Sequence, residues 1–226
     1  MGRQDNGTAE KIMGNSTSLL VIFSVVITAV ILFFDRPLLM LFGASDKTIV
    51  YASPYMRIYG MGTIAVLFSL GLNAFITAQG FAKTSMLTVL IGAISNIILD
   101  PIFIFVFHMG VRGAAYATII SQSISAVWVV CFLNGKKTIL KLHKENFRIR
   151  GKVILPCLLL GLGPFIMQST ESILMVCFNS SLLKYGGDIA VGAMTILSSV
   201  MQFSTLPLMG LAQGAQPIAS YNFGAK

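Results

Sequence analysis

Charge is what this sequence has least of. Asp, Glu, Lys and Arg make up 11% of its 226 residues, whereas a soluble domain carries about 25%. That leaves too little polar surface to solvate a globule, and a mean hydropathy of +0.82 makes lipid the expected solvent. Cysteine is scarcer still. Cys131, Cys157 and Cys177 lie in apolar runs, are odd in number and lack zinc-ligand spacing. They read as small core hydrophobes and exclude a disulfide framework. Histidine occurs twice, as His108 and His143, and no HExxH, CxxC, GxSxG or phosphate-loop pattern appears. Enzyme chemistry therefore has little to rest on. The net charge of +8 could suit a nucleic acid, but the basic residues sit in loops between apolar runs and serve better as a topology signal.

What the chain does have is long uncharged runs: 12–34, 58–82, 84–111 (broken only by Asp100), 113–135, 153–183 (broken only by Glu171) and 189–225. A spanning helix needs about 20 residues. Backbone polar groups in lipid must be bonded within the segment, and continuous rather than alternating apolarity argues against a barrel. The expectation is an all-α integral membrane protein, a bundle of six transmembrane helices. Residues 1–150 would hold four helices and a basic loop, and 151–226 the last two. The sixth run is longer than one span needs, so it is expected to leave the membrane near Gly210 to Gly214 and continue as a loop. With six crossings, eleven Lys and Arg fall on one side and five on the other. Both termini are then cytoplasmic, and the chain belongs in the cell inner membrane. The basic stretch 136–152 is the longest polar loop and faces anionic lipid.

Two acids interrupt the apolar runs. Asp100 stands in Asn96-Ile97-Ile98-Leu99-Asp100-Pro101-Ile102-Phe103. A carboxylate in hydrocarbon costs several kcal/mol, so an intramembrane acid points to an ion or proton site facing a protein interior. Asn96 is four residues earlier and shares its helix face, and Thr118 and Gln122 are related in the same way on the next helix. Counted from the joining hairpin, Asp100 lies about 12 Å and Thr118 about 7 Å into the membrane, so the two faces can meet. Carboxylate, amide and hydroxyl oxygens suit a proton or sodium and no softer metal. The alternative is a helix-bridging hydrogen bond. Pro101 is expected to bend its helix and free carbonyls near Ile97. Glu171 forms a second polar stripe with Gln168 and Asn179, either cavity-facing or paired near an interface. Gln122, Gln168 and Asn179 are the candidates for lining a substrate cavity.

Several stretches together carry a resemblance. They are Asn96-x-x-x-Asp100-Pro101-Ile102-Phe103-Ile104-Phe105, Met109-Gly110-Val111-x-Gly113-Ala114-Ala115-x-Ala117-Thr118, Ser121-Gln122 and Lys184-Tyr185-Gly186-Gly187-Asp188. The last is Gln213-Gly214-Ala215-Gln216-Pro217-Ile218-Ala219-Ser220-Tyr221-Asn222-Phe223-Gly224-Ala225-Lys226. This combination resembles the multidrug and toxic compound extrusion (MATE) family, bacterial branch. The resemblance implies a twelve-helix antiporter of two six-helix lobes, of which this chain is similar to helices three to eight. Met1-Gly2-Arg3-Gln4-Asp5 resembles the loop after the second helix. A partial MATE-type fold spanning parts of both lobes is thus expected, its partners being the missing helices or a second copy, and membrane lipid. The resemblance implies export of cationic or amphipathic drugs coupled to sodium or protons, with no cofactor beyond a sodium ion at Asp100. Asn96, Asp100 and Thr118 match the first-lobe cation cluster of some members, which also uses an acid in the first helix. Glu171 resembles the seventh-helix acid of other branches. The rivals are a truncated product without transport, acting at most as a helix-binding partner, and a lipid-linked sugar flippase, whose cavity would need the basic residues that here sit in loops.

Overall fold

The computed structural model describes residues 5–225. Arg3 and Lys226, counted above toward the basic side, lie outside the described residues, as do Met1, Gly2, Gln4 and the side chain of Lys144. The first helix, α1 (Asn6–Leu41), starts where Asp5 caps it. Asp5 Oδ1 accepts from the Thr8 amide at 2.9 Å and Oδ2 from the Thr8 hydroxyl at 2.6 Å. These bonds satisfy free helix-start donors and hold the Asp5 carboxyl below the usual carboxylate range. The helix exceeds the hydrocarbon thickness and is interrupted at Phe34 (φ −121°, ψ 23°), three residues before Pro37.

The second apolar run is not one straight span. Its first residues, 58–61, end a helix that starts earlier, α2 (Ile49–Met61), and the rest forms α3 (Thr63–Ala78), the two bent by 56° at Gly62. The break seats against α5 (Val111–Leu133), since a Cβ on Gly62 would lie 2.5 Å from Ile119 Cγ1. Next comes α4 (Ala82–Pro101), extended by one π-helical turn over Ile102–Val106. The hairpin into α5 uses two positive-φ residues, His108 (54°) and Gly110 (55°). A linker containing a 3-10 turn (Lys144–Phe147) leads to α6 (Gly151–Gly224).

Gly187 (φ 64°, ψ −165°) breaks α6 into 151–186 and 188–224, each longer than the about 20 residues of a crossing. These halves match the fifth and sixth runs. The expected change to a loop near Gly210 to Gly214 does not occur: the helix runs on to Gly224 with Pro207 and Pro217 inside it. Glycine and proline weaken a helix in water, but in an apolar environment no solvent competes for the remaining backbone bonds. With α6 taken as one helix, four helices among the described residues are long and apolar enough to cross a membrane, and up to five if the bent pair is one span; taking the two halves of α6 separately gives the expected six.

Packing is concentrated around α5, which touches α2, α3 and α4. Met13, Leu72, Ile76, Val129, Leu133 and Leu140 form the buried cluster at the basic end. Small residues set the closest approaches. A Cβ on Gly92 would stand 2.6 Å from Ser125 Oγ, and one on Gly113 2.6 Å from the Phe103 carbonyl oxygen. Such contacts replace a hydrophobic driving force that lipid cannot supply. By contrast α6 packs on α1 and otherwise presents apolar surface, as at Leu160 (82% exposed) and Ile189 (88%). Its Gly161, Gly163, Gly210 and Gly214 have no neighbouring atom within 4 Å of an added Cβ. The cysteines are not core residues as read: Cys131 and Cys177 are exposed and Cys157 is half-buried. They stand on helix faces turned outward, where an apolar thiol is as well accommodated by lipid as by a core.

The linker is stitched to the bundle rather than loose. Gln79 Oε1 accepts from the Thr138 hydroxyl (2.7 Å) and from the amides of Ile139 (2.9 Å) and Leu140 (3.0 Å). Glu10 accepts from the Lys141 amide at 3.0 Å. Asn15 donates to the Asn146 carbonyl (3.0 Å) and accepts from the Arg150 amide (2.7 Å).

Candidate functional site

Asp100 closes the last turn of α4, beside α5. It is half-buried, and the Asn96 Nδ2 donates to its Oδ1 at 3.3 Å. The one-turn spacing therefore brings these two together as expected. No basic side chain lies within ion-pair distance of Asp100 among the described residues. Thr118 is half-buried on α5, but its hydroxyl donates to its own helix at the Ala114 carbonyl, 2.8 Å away. It makes no hydrogen bond to Asp100 or Asn96, so the three-residue cluster is bonded only in part. The Thr118 oxygen keeps its lone pairs as acceptors. The chain does not bend sharply at Pro101; the following turn widens to π geometry, a feature that often accompanies functional positions. Ile97, expected to lend a carbonyl, is 70% exposed.

Gln122 lies one turn beyond Thr118. Its Oε1 is buried without a hydrogen-bond donor, and so is Asn73 Oδ1 on α3, a residue the sequence reading did not single out. A buried carbonyl oxygen without a partner carries a desolvation cost, so each of these two acceptors calls for a physical reason. The signal available in sequence was a one-turn polar stripe, Ser69, Asn73 and Thr77, inside an otherwise apolar run without charge.

The second stripe fares differently. Glu171 and Gln168 are exposed on α6, which packs on α1 rather than closing around them. Asn179 alone finds a partner: its Nδ2 donates to the Phe42 carbonyl at 3.1 Å. Beside that bond, Gly43 (φ 94°) comes so close that a Cβ would lie 2.7 Å from Asn179 Cβ.

The most buried acid is one that sequence reading passed over. Asp35, 3% exposed near the far end of α1, accepts from Arg57 Nε at 2.7 Å and Nη2 at 3.1 Å, and from the Ser53 hydroxyl. In sequence it stands as the charged residue that ends the first apolar run, followed by Arg36. The available signal was a pair of opposite charges, Asp35 and Arg57, at the facing ends of consecutive apolar runs. Nearby, an apolar hollow of 490 Å³ is lined by Tyr51, Tyr55 and Tyr59 of α2 with Leu39, Met56 and Val111. Its walls include none of the expected site residues, and the Tyr55 and Tyr59 rings stack at 6.0 Å.

A family model described as MatE matches residues 1–102 and 164–226. The multidrug export protein MepA of Staphylococcus haemolyticus is 29% identical over 203 residues, covering 90% of this chain and 45% of its own length. A solved structure of the MATE multidrug transporter DinF-BH superposes with a TM-score of 0.93 at 36% identity, covering all of this chain and 51% of the other. A MOP superfamily transporter from Pyrococcus furiosus, whose reverse polarity of binding pocket is held to suggest a different function, superposes at 0.88 with 28% identity, over 99% and 50%. The chain thus spans about half the length of the curated relatives it matches. With helix order, packing and family model in agreement over most of its residues, the chain belongs to the MATE family of membrane proteins.

Proposed function

We propose that this chain supplies helices three to eight of a cation-coupled exporter of cationic or amphipathic organic compounds, with Asp100 as the group that takes up and releases the coupling proton or sodium. The observation that carries the reading is a contrast between two acids. Asp35 is already neutralised by Arg57 and bonded to Ser53. Asp100 has a single donor, at 3.3 Å, and no cationic partner among the described residues. An acid in an apolar span without a fixed counter-charge is the one whose neutralisation can vary.

The donors suit a hard monovalent cation: Asp100 and Thr118 would hold sodium with the Asn96 amide oxygen, and a bound ion would supply charge neutralisation there. Coupling requires that Asp100 be neutralised more readily in one of two conformations than in the other, since equal affinity shifts nothing. The orphaned oxygens of Gln122 and Asn73 offer acceptors for donor groups of a substrate. The exposed glycines and apolar face of α6 take the remaining helices of the transporter or a second copy. Glu171 and Gln168 would gain a buried setting only then. With the basic stretch 136–152 on the cytoplasmic side, both described ends of the chain lie in the cytoplasm of an inner-membrane protein. This is transport, with no chemical conversion of substrate.

The test is Asp100→Asn in the full-length transporter, with dye efflux measured against sodium and proton gradients collapsed in turn. Export should fall to background at unchanged protein level, and only one gradient should support the parent. Undiminished coupled efflux from the variant would remove Asp100 from the coupling role.

A further inference from the structure

We propose that the linker between α5 and α6 is a preformed binding surface for anionic phospholipid headgroups, held in the membrane interface by the bundle itself. The stitching described above fixes the linker backbone at Thr138, Ile139, Leu140 and Lys141, then at Asn146 and Arg150. Ser18 adds a bond from its hydroxyl to the Phe147 carbonyl at 2.6 Å. Gly14 lets the strap lie directly on α1, since a Cβ there would stand 2.6 Å from the Asn146 carbonyl oxygen.

This fixed backbone turns two kinds of side chain outward. Lys136, Lys137, Lys141, Arg148, Arg150 and Lys152 are exposed. Between them Ile139 (50%), Phe147 (36%) and Ile149 (47%) are exposed as well. Over Phe147-Arg148-Ile149-Arg150 apolar and basic residues alternate in a segment whose Arg148 and Arg150 are extended. A soluble anion needs the bases alone. Apolar side chains interleaved with bases are what a headgroup–acyl boundary accepts, the bases meeting phosphates and the apolar groups the first methylenes. The acids nearby do not cancel the surface. Glu10 is occupied by the Lys141 amide and lies 3.7 Å from His143 Nε2, which leaves Glu145 as the one exposed acid of the strap. Because the backbone is already ordered, lipid binding carries little ordering cost.

The test uses the whole chain in symmetric vesicles, so it does not depend on which face of the membrane is cytoplasmic. Trp128, the single tryptophan, is changed to Phe and Phe147→Trp supplies a reporter on the strap. Fluorescence quenching is compared in phosphatidylcholine vesicles containing brominated phosphatidylglycerol or brominated phosphatidylcholine. At low ionic strength the anionic lipid should quench with about fivefold preference. The preference should fade at about 1 M salt, and it should disappear in a variant also carrying Lys136→Gln, Lys141→Gln, Arg148→Gln and Arg150→Gln with unchanged helical content. Should that variant lose helicity, the salt arm on the unneutralised reporter chain decides alone. Equal quenching by the two lipids, no quenching by either, or a preference abolished by millimolar inorganic phosphate would each overturn the proposal. The last would mean a soluble-anion site.

Discussion

Removing Arg57 should harm the fold more than removing the acid it serves. Asp35 is 3% exposed, and its carboxylate oxygens accept two guanidinium bonds at 2.7 and 3.1 Å besides the Ser53 hydroxyl. Arg57→Ala strands that carboxylate away from water with one neutral donor. Breaking a buried pair from one side costs about 3–5 kcal/mol, and the lower end applies because the Arg57 side chain is itself 52% exposed. Asp35→Ala leaves a guanidinium that half reaches solvent and can rehydrate, so the loss is nearer that of hydrogen bonds to a charged group, about 1.5–3 kcal/mol. The double variant should then resemble Asp35→Ala, and the cycle should show strong coupling. The measurement is reversible unfolding in mixed detergent micelles followed by helical circular dichroism. If Arg57→Ala proves no more damaging than Asp35→Ala, or costs under about 1 kcal/mol, the carboxylate is hydrated and the desolvation reasoning is wrong.

Two further substitutions probe the packing. Gly113→Ala places a methyl 2.6 Å from the Phe103 carbonyl oxygen. Because a backbone atom cannot yield as a side chain does, the α4–α5 hairpin should lose about 1–3 kcal/mol, read in the same micelle assay, while Gly161→Ala, with no neighbour, should be neutral. Gln79→Leu keeps the volume but strands the amides of Ile139 and Leu140, while the Thr138 hydroxyl retains the Leu140 carbonyl. Hydrogen exchange at the amides of Ile139 and Leu140 should accelerate by about tenfold or more, whereas exchange in α3 itself should not change.

The number and order of membrane segments were legible because hydropathy over twenty residues is a signal summed across many side chains. Their internal breaks were not. Gly62 looks like any packing glycine in an apolar run, yet it divides α2 from α3 because Ile119 fills the space beside it. The pairing of Asn96 with Asp100 was readable from one-turn spacing within a single helix. Whether Thr118 would bond to them depended on the rotation of a second helix, which spacing does not encode, and its hydroxyl turned to its own backbone. Asp35 shows the opposite error. Its partner is 22 residues away across a loop, so reading runs one at a time left each charge as an ordinary end marker.

Both fastenings of α6 lie on the same neighbour. Near its start, Asn15 and Ser18 of α1 clasp the approach through several bonds, one of them a 2.7 Å contact to the Arg150 amide. Toward the far end of the span before Gly187, a lone 3.1 Å bond from Asn179 meets the end of α1 at Phe42. A door hung this way swings from its weaker edge. The Phe42 latch is a single exposed bond worth about 1 kcal/mol, so the far end of that span should part from α1 more readily than its first turn.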